Sequence, residues 1–207
     1  MIKFNPTLIA YITKLKSDKD NNVPLRECDY SKMISLLLPQ FFHLRNNWCI
    51  APEFCLPDRL SADYLVSLIN IIPGLGYGNS INRLVVETKN RIAISWWRLL
   101  KDQLYNQCEN ASVNGKIWAA GLIGFEICFF LFDVTKFPSV SGDYTGFHAL
   151  NLNNLTRADL KFLDVKYLTE LDNNGNSEIR VIKWRLDDPS HHDYILEMIQ
   201  YISQHSA

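Results

Sequence analysis

Hydrophobic positions recur along this chain at two spacings, and each spacing predicts a different element. Residues 6–17 and 92–110 carry apolar side chains every three or four positions, which predicts helices with one buried face. Residues 64–72 and 84–88 are apolar runs of strand length bounded by polar or turn residues. Two strands followed by a helix are therefore expected in the middle of the chain.

The segment that follows predicts a β-hairpin. Apolar runs at 117–123 and 125–132 are separated by Gly124, and Asn114-Gly115 forms a turn ahead of them. Together with the preceding elements, this gives the order strand, strand, helix, strand, strand. That order is typical of an α/β fold.

The N-terminal half contains less regular segments. A second helix is predicted to begin near Asp29, a plausible N-cap, and to end or kink at Pro39. The stretch 46–60 contains Pro52 and a second proline, so it is predicted to be irregular. The glycine-rich stretch 73–80 predicts a turn.

The C-terminal third is expected to add α/β structure to this core. Residues 157–168 predict a helix, 179–186 alternate like a strand, and 192–203 predict a last helix. We expect a single α/β domain over 1–207, with its core at about 28–135 and a C-terminal elaboration at about 136–207.

Composition narrows the class of protein. The 207 residues are 47% hydrophobic with a net charge of -1, which favours a globular protein over a strongly basic nucleic-acid-coating one. No apolar run reaches the ~20 residues of a membrane span, and the N-terminus has no signal-peptide pattern. The five cysteines contain no Cys-x-x-Cys motif, which favours free thiols. We therefore expect an intracellular protein, cytoplasmic or nuclear, without a membrane partner.

Candidate chemistry lies at the ends of the two central strands. Asp63 opens the first apolar strand, and Glu87 and Lys89 close the second. Because strand residues alternate between faces, Glu87 and Lys89 project to the same side. Two carboxylates beside an ammonium suit a divalent metal that activates water against a phosphodiester.

The tripeptide alone is a weak signal, since acid-x-Lys occurs three times in the chain. The other two, Asp159-x-Lys161 and Asp164-x-Lys166, fall in the predicted helix at 157–168, where they suit a solvated face. Residues 83–116 include six basic residues and three acids, so the sequence around Glu87 has a net positive charge. The simpler alternative for Glu87 and Lys89 is a charged pair at an exposed strand end.

On these residues the chain resembles the PD-(D/E)XK, or restriction-endonuclease-like, nuclease superfamily. Members carry an aspartate at the start of the second core strand and (Asp/Glu)-x-Lys on the third, here Asp63 and Glu87-Thr88-Lys89. The resemblance covers roughly residues 60–135. It implies an αβββαβ core in which helices flank a mixed central sheet.

The resemblance also implies a glutamine on the following helix, and both Gln103 and Gln107 qualify; Gln103 is favoured because of its distance along the chain from Lys89. Two further positions stay open. Ala62 stands where the family has proline, and the literal Pro-Asp pair lies earlier, so Asp58 is an alternative to Asp63.

The acid that many members add on the first helix is not obvious in this sequence. Glu27 and Glu53 are the candidates. Neither lies within a predicted strand or helix, so the pattern does not choose between them.

The implied function is a nuclease that uses Mg²⁺ or Mn²⁺ to hydrolyse phosphodiester bonds in nucleic acid, with DNA favoured. Asp63, Glu87 and a backbone carbonyl near Thr88 would hold the metal. Lys89 would orient water or neutralise the developing anion, and a glutamine would position one of these groups. The alternative is a noncatalytic restriction-like module that binds nucleic acid or protein. A homodimer, DNA versus RNA, and endo- versus exonuclease action stay open.

Overall fold

The computed structural model describes residues 3–55, 61–72, 76–90, 94–112, 114–133, 147–149, 168–171, 177–181 and 183–205. The helices are α1 (Pro6–Asp20), α2 (Glu27–Leu37), α3 (Ile94–Ala111) and α4 (His192–Gln204). The strands are β1 (Trp48–Cys55), β2 (Ser61–Ile72), β3 (Gly76–Lys89), β4 (Lys116–Ile123), β5 (Glu126–Asp133), β6 (Phe147–Ala149), β7 (Leu168–Leu171), β8 (Ser177–Val181) and β9 (Trp184–Arg185). Short 3₁₀ turns lie at Leu38–Gln40, Leu44–Asn46 and Pro189–His191.

Helix α2 begins earlier than the sequence pattern predicted. Asp29 is not the N-cap; its carboxylate accepts a hydrogen bond from the backbone N–H of Arg26 at 2.8 Å, so Arg26 is the cap and Glu27 the first helical residue. At the other end the helix stops at Leu37 and passes into the 3₁₀ turn that contains Pro39, as predicted.

Strand β1 corrects the prediction that residues 46–60 are irregular. Among the described strands, β1 pairs with β2 alone, so it is an edge strand, where Pro52 can be accommodated without a missing ladder bond. The next residue, Glu53, has a left-handed backbone with φ of 48°, which interrupts the regular pairing there. A proline therefore marked an edge of the sheet here, not a loop.

The central sheet is mixed. Its strands follow the order β1-β2-β3-β4-β5-β6, and β9 pairs with β5 as a seventh strand. The first three strands form an antiparallel meander, β3 and β4 are parallel, and β4 and β5 form an antiparallel hairpin. A parallel pair needs a long crossover, and α3 lies in it. Strands β7 and β8 pair only with each other in the described ranges.

Helices cover both faces of this sheet, because successive strand residues point to opposite sides. One face, the three-helix face, packs against α1, α2 and α4 through one buried cluster. The other, the α3 face, packs against α3 through a second cluster. Along β3, Val86 belongs to the first cluster and Val85 to the second.

Helix α3 approaches the sheet most closely at Gly121 of β4. A Cβ at this position would lie 2.4 Å from Leu100 Cδ2 and 3.3 Å from Leu104 Cδ1. The missing side chain therefore lets two leucines of α3 pack directly onto the β4 backbone. Gly121 pairs with Glu87 of β3, so this close contact lies beside the candidate site.

Several other predicted elements are confirmed, whereas the turn predicted over 73–80 is wrong for residues 76–80, which belong to β3. The β4–β5 hairpin is present with Gly124 in its turn at φ of 60°, and α4 covers the predicted last helix. The strand predicted at 179–186 is instead two strands: β8 pairs with β7, whereas β9 pairs with β5. The helix predicted at 157–168 lies outside the described residues, apart from its last position, which begins β7.

The C-terminal segment contributes to the main core. Trp184 of β9 and Ile195, Leu196, Met198 and Ile199 of α4 belong to the buried cluster of the three-helix face. Among the described helices, none is both long and apolar enough to cross a membrane.

Candidate active site

The site begins with two carboxylates on neighbouring antiparallel strands. The paired part of β2 and β3 ends with Tyr64 opposite Val86, so Asp63 and Glu87 are the next residues on the two strands. Beyond that point the Asp63 carboxylate bonds to Thr88, the residue after Glu87. The two acids are therefore neighbours at the strand ends, and the charge of Asp63 acts on Glu87.

Asp63 is fixed by the strand beside it. Its Oδ2 accepts hydrogen bonds from the backbone N–H of Thr88, at 2.7 Å, and from the Thr88 hydroxyl. Its Oδ1 makes no hydrogen bond to any residue in the described ranges, and the side chain is half-buried. Among the described residues, Oδ1 is therefore the oxygen of this carboxylate that a ligand could contact.

Glu87 is more deeply buried, and protein groups contact both of its oxygens. Lys89 Nζ donates to Oε1 at 2.6 Å, and Gln107 Nε2 of α3 donates to Oε2 at 2.8 Å. The side chain of Glu87 is 4% exposed and that of Lys89 13%. Since each carboxylate oxygen has two lone pairs, these bonds orient Glu87 without using all of its acceptor capacity.

Burial and charge act in opposite directions on this pair. Burial raises the pKa of Glu87, the nearby negative charge of Asp63 raises it further, and the bonds from Lys89 and Gln107 oppose both effects. Burial alone would lower the pKa of Lys89, but Glu87 and Glu27 together outweigh it, so the pKa of Lys89 is raised. The negative charge of Asp63 therefore disfavours the ionised form of Glu87, and the Lys89 ammonium is the counter-charge of Glu87.

Glu27 is the acid that the sequence pattern did not single out. Its Oε1 lies 3.2 Å from Lys89 Nζ, although the two residues are 62 positions apart in the chain. Glu27 is the first residue of α2, and its side chain is 44% exposed. Because the helix was predicted to start at Asp29, Glu27 was not recognised as an acid on this helix.

The other candidate, Glu53, is exposed, and no hydrogen bond or ion pair joins it to the described site residues. Asp58, the alternative to Asp63, lies outside the described residues.

Of the two candidate glutamines, Gln107 contacts Glu87, and the favoured Gln103 has no such contact in the described structure. Gln103 is exposed, whereas Gln107 is 2% exposed and bonded to Glu87. The pattern did place Leu100, Leu104 and Cys108 on the buried face, and each is 0% exposed. Gln107 comes one helical turn after Gln103, and it is the glutamine that the packing of α3 brings to Glu87.

The donor set suits a hard, oxygen-preferring cation. No group of three or more His, Cys, Asp or Glu side chains that could hold a metal occurs in the described ranges. Mg²⁺, however, is commonly bound through one or two carboxylates, with water and substrate oxygens completing its shell. Asp63 Oδ1 and Glu87 supply the two carboxylates that such a Mg²⁺ site requires. They do not supply the four protein ligands of a closed metal site.

Buried polar groups are concentrated at this one place. Apart from aromatic and cysteine side chains, the buried polar or charged residues in the described ranges are Glu87, Thr88 and Gln107. Burying such groups costs free energy unless they are hydrogen-bonded, and grouped buried titratable residues are typical of functional sites.

Comparisons of the chain with models of known protein families, with curated proteins and with solved structures found no match. The function has therefore to be inferred from the chain's own residues.

Proposed function

We propose that this chain is a metal-dependent nuclease that hydrolyses phosphodiester bonds in nucleic acid, with DNA as the favoured substrate. The observation that carries the proposal is the juxtaposition of Asp63 and Glu87, with Lys89 bonded to Glu87 at 2.6 Å and Gln107 at 2.8 Å. These residues come from three elements, and two of them, Glu87 and Gln107, are buried together with Thr88. A charged pair at an exposed strand end would not be buried in this way.

The order of elements supports the same proposal. Helix α2, strands β1 to β3, helix α3 and strand β4 follow one another in the chain, with an antiparallel meander and a parallel β3–β4 pair. That is the αβββαβ order implied by the resemblance to PD-(D/E)XK nucleases. Asp63 and Glu87 also lie near the ends of its second and third strands.

Asp63 and Glu87 would hold Mg²⁺ or Mn²⁺, with the Thr88 carbonyl as a further oxygen ligand. Such an ion, when bound, lowers the pKa of a water molecule and stabilises negative charge on a phosphoryl group. Thr88 keeps the Asp63 carboxylate in place through its N–H and hydroxyl. Gln107 keeps Glu87 aimed toward the strand end, and Lys89 supplies positive charge where the anion develops.

The test combines metal binding with cleavage. Purified protein is incubated with duplex DNA, single-stranded DNA or RNA, in EDTA and then with Mg²⁺ or Mn²⁺, while calorimetry measures Mn²⁺ affinity. We expect cleavage only with metal, and Glu87→Gln should abolish both cleavage and Mn²⁺ binding. Glu109→Gln, an exposed acid of α3, is the matched control and should change neither.

A second pair of variants tests the glutamine. Gln107→Ala should lower cleavage and weaken Mn²⁺ binding because Glu87 loses its orienting amide, whereas exposed Gln103→Ala should behave as wild type. Nucleic-acid binding without Mn²⁺ binding or cleavage would instead favour the noncatalytic module. A chain that binds neither metal nor nucleic acid would rule out both functions.

A further inference from the structure

The Lys89 ammonium contacts two carboxylates in unlike surroundings. Glu87 Oε1 is 2.6 Å away on a side chain 4% exposed, and Glu27 Oε1 is 3.2 Å away on a side chain 44% exposed. Glu87 belongs to β3 and Glu27 to the first turn of α2, so the ammonium links the sheet to a helix. The shorter contact is the one to the buried acid.

A divalent cation at Glu87 would compete directly with this shorter contact. The cation and the Lys89 ammonium are both positively charged. Two like charges bound to the same carboxylate in a partly buried site repel each other strongly. Gln107 donates to the other oxygen of Glu87, so the carboxylate cannot simply rotate to serve both cations without losing that bond. The ammonium is the group that can move, because lysine has a flexible stem and three donors.

The Lys89 ammonium can move toward Glu27 with little loss of favourable interaction energy. Lys89 already contacts it at 3.2 Å, so shortening one existing contact would compensate for lengthening the other. The ammonium would then remain ion-paired at the mouth of the site and would not be left as an uncompensated charge. It would also stay close to the strand end, where the scissile phosphate would lie.

We propose that Glu27 is a positioning residue that takes over the Lys89 ammonium from Glu87 when a divalent cation binds. This inference rests on the proposed function. Glu27 acts here through Lys89, not as a ligand of the metal, and this distinction can be measured.

The test is a double-mutant cycle on Mn²⁺ affinity, measured by calorimetry on the full chain without nucleic acid. The four proteins are wild type, Glu27→Gln, Lys89→Met and the double variant. Glu27→Gln should weaken Mn²⁺ binding about three- to tenfold when Lys89 is present, because the displaced ammonium loses its partner. With Met at position 89 the same change should have an effect below about twofold, since no ammonium needs a partner.

Glu27→Asp separates contact from charge. The shorter aspartate keeps the negative charge, but its carboxylate no longer reaches the Lys89 ammonium. The substitution should therefore weaken Mn²⁺ binding as Glu27→Gln does. Glu53→Gln removes an exposed acid from a neighbouring strand and should leave the affinity unchanged. If Lys89→Met does not fold, Lys89→Gln serves in its place, and thermal melting checks each variant.

Two results would overturn the inference while the proposed function stands. One is an equal loss of Mn²⁺ affinity from Glu27→Gln with Lys89 and with Met at position 89. That result would mean that Glu27 binds the metal itself or attracts it as a distant charge. The other is wild-type affinity in Glu27→Asp. Absence of Mn²⁺ binding by the wild-type protein would overturn the proposed function itself, and this inference with it.

Discussion

The two faces of the central sheet are closed in different ways. The three-helix face packs against α1, α2 and α4, and its buried cluster contains large aromatic side chains such as Phe125, Phe129 and Trp184. The α3 face packs against one helix and also buries Phe130 and Phe132, but along β4 it has only Ala119 and Gly121 where the three-helix face has Trp118, Ala120 and Leu122. Two of the three buried polar side chains, Glu87 and Gln107, lie on this second face.

Because of this difference, the two faces contribute differently to the stability of the fold and to the geometry of the candidate site. Small residues on β4 let α3 come close enough for Gln107 to reach a carboxylate on the neighbouring strand. On the three-helix face, large apolar side chains fill the space, and a buried carboxylate there would lack a partner. We infer that the three-helix face mainly holds the fold together, whereas the packing of α3 also sets the geometry of the site.

The largest expected effect tests this division with the same substitution on each face. Leu8→Ala in α1 and Leu104→Ala in α3 both truncate leucines that are 0% exposed, so each should lower the free energy of unfolding by about 2–5 kcal/mol. Only Leu104→Ala should also weaken Mn²⁺ binding, because it loosens the helix that carries Gln107. Denaturant titration and calorimetry measure the two quantities. Equal losses of Mn²⁺ affinity would show that the faces are not distinct.

A smaller effect is expected from the ion pair at the edge of the α3 face. Lys89→Ala leaves Glu87 buried without its counter-charge and should cost about 2 kcal/mol at pH 8, less than the 3–5 kcal/mol of a fully buried pair. Glu87→Gln, which keeps the hydrogen-bonding shape and removes the charge, should cost less than about 1 kcal/mol.

The pH dependence of the Lys89→Ala loss follows from the two pKa shifts. The folded-state pKa of Glu87 lies above its ordinary value of 4.5, so Glu87 binds protons more tightly in the folded state and its protonation relieves the unpaired charge. The loss should therefore shrink as the pH falls toward 4.5. At the alkaline end, the stability that Lys89 contributes is present below its ordinary pKa of 10.5 and disappears as the pH rises through its raised folded-state pKa. A loss that is constant from pH 4 to pH 8 would contradict this account.

An effect of about the same size as that of Lys89→Ala tests the close approach of α3 to β4. Gly121→Ala places a methyl group 2.4 Å from Leu100 Cδ2, so Leu100 must shift, and the cost should be about 1–3 kcal/mol. Leu100→Ala alone leaves a cavity that the new methyl partly fills. The double variant should therefore lose less stability than the sum of the two single changes, as measured by thermal melting. Additive losses would mean that the two positions do not compete for the same space.

Local patterns were enough to predict much of the frame. The buried stripe of α3, the β4–β5 hairpin and the last helix depend on side chains close in sequence, whose spacing alone selects helix or strand. The alternation of strand residues likewise predicted that Glu87 and Lys89 share a side. These features need no knowledge of distant segments.

Other features depended on contacts that spacing does not encode. Pro52 signalled an irregular segment, but an edge position with one neighbour tolerates it within β1. The choice of Gln107 over Gln103 depended on which side chain α3 brings to Glu87 when it packs on the sheet at Gly121.

The sequence by itself determined which elements form and that an acid and a lysine stand together at a strand end, because these follow from the 3.6- and 2-residue periods of the backbone. Only the tertiary structure decided what surrounds them. The contact between Glu27 and Lys89 joins residues 62 positions apart, and that between Gln107 and Glu87 joins residues 20 apart. Such contacts depend on the angle and depth at which each helix packs on the sheet, and many side chains fix these together.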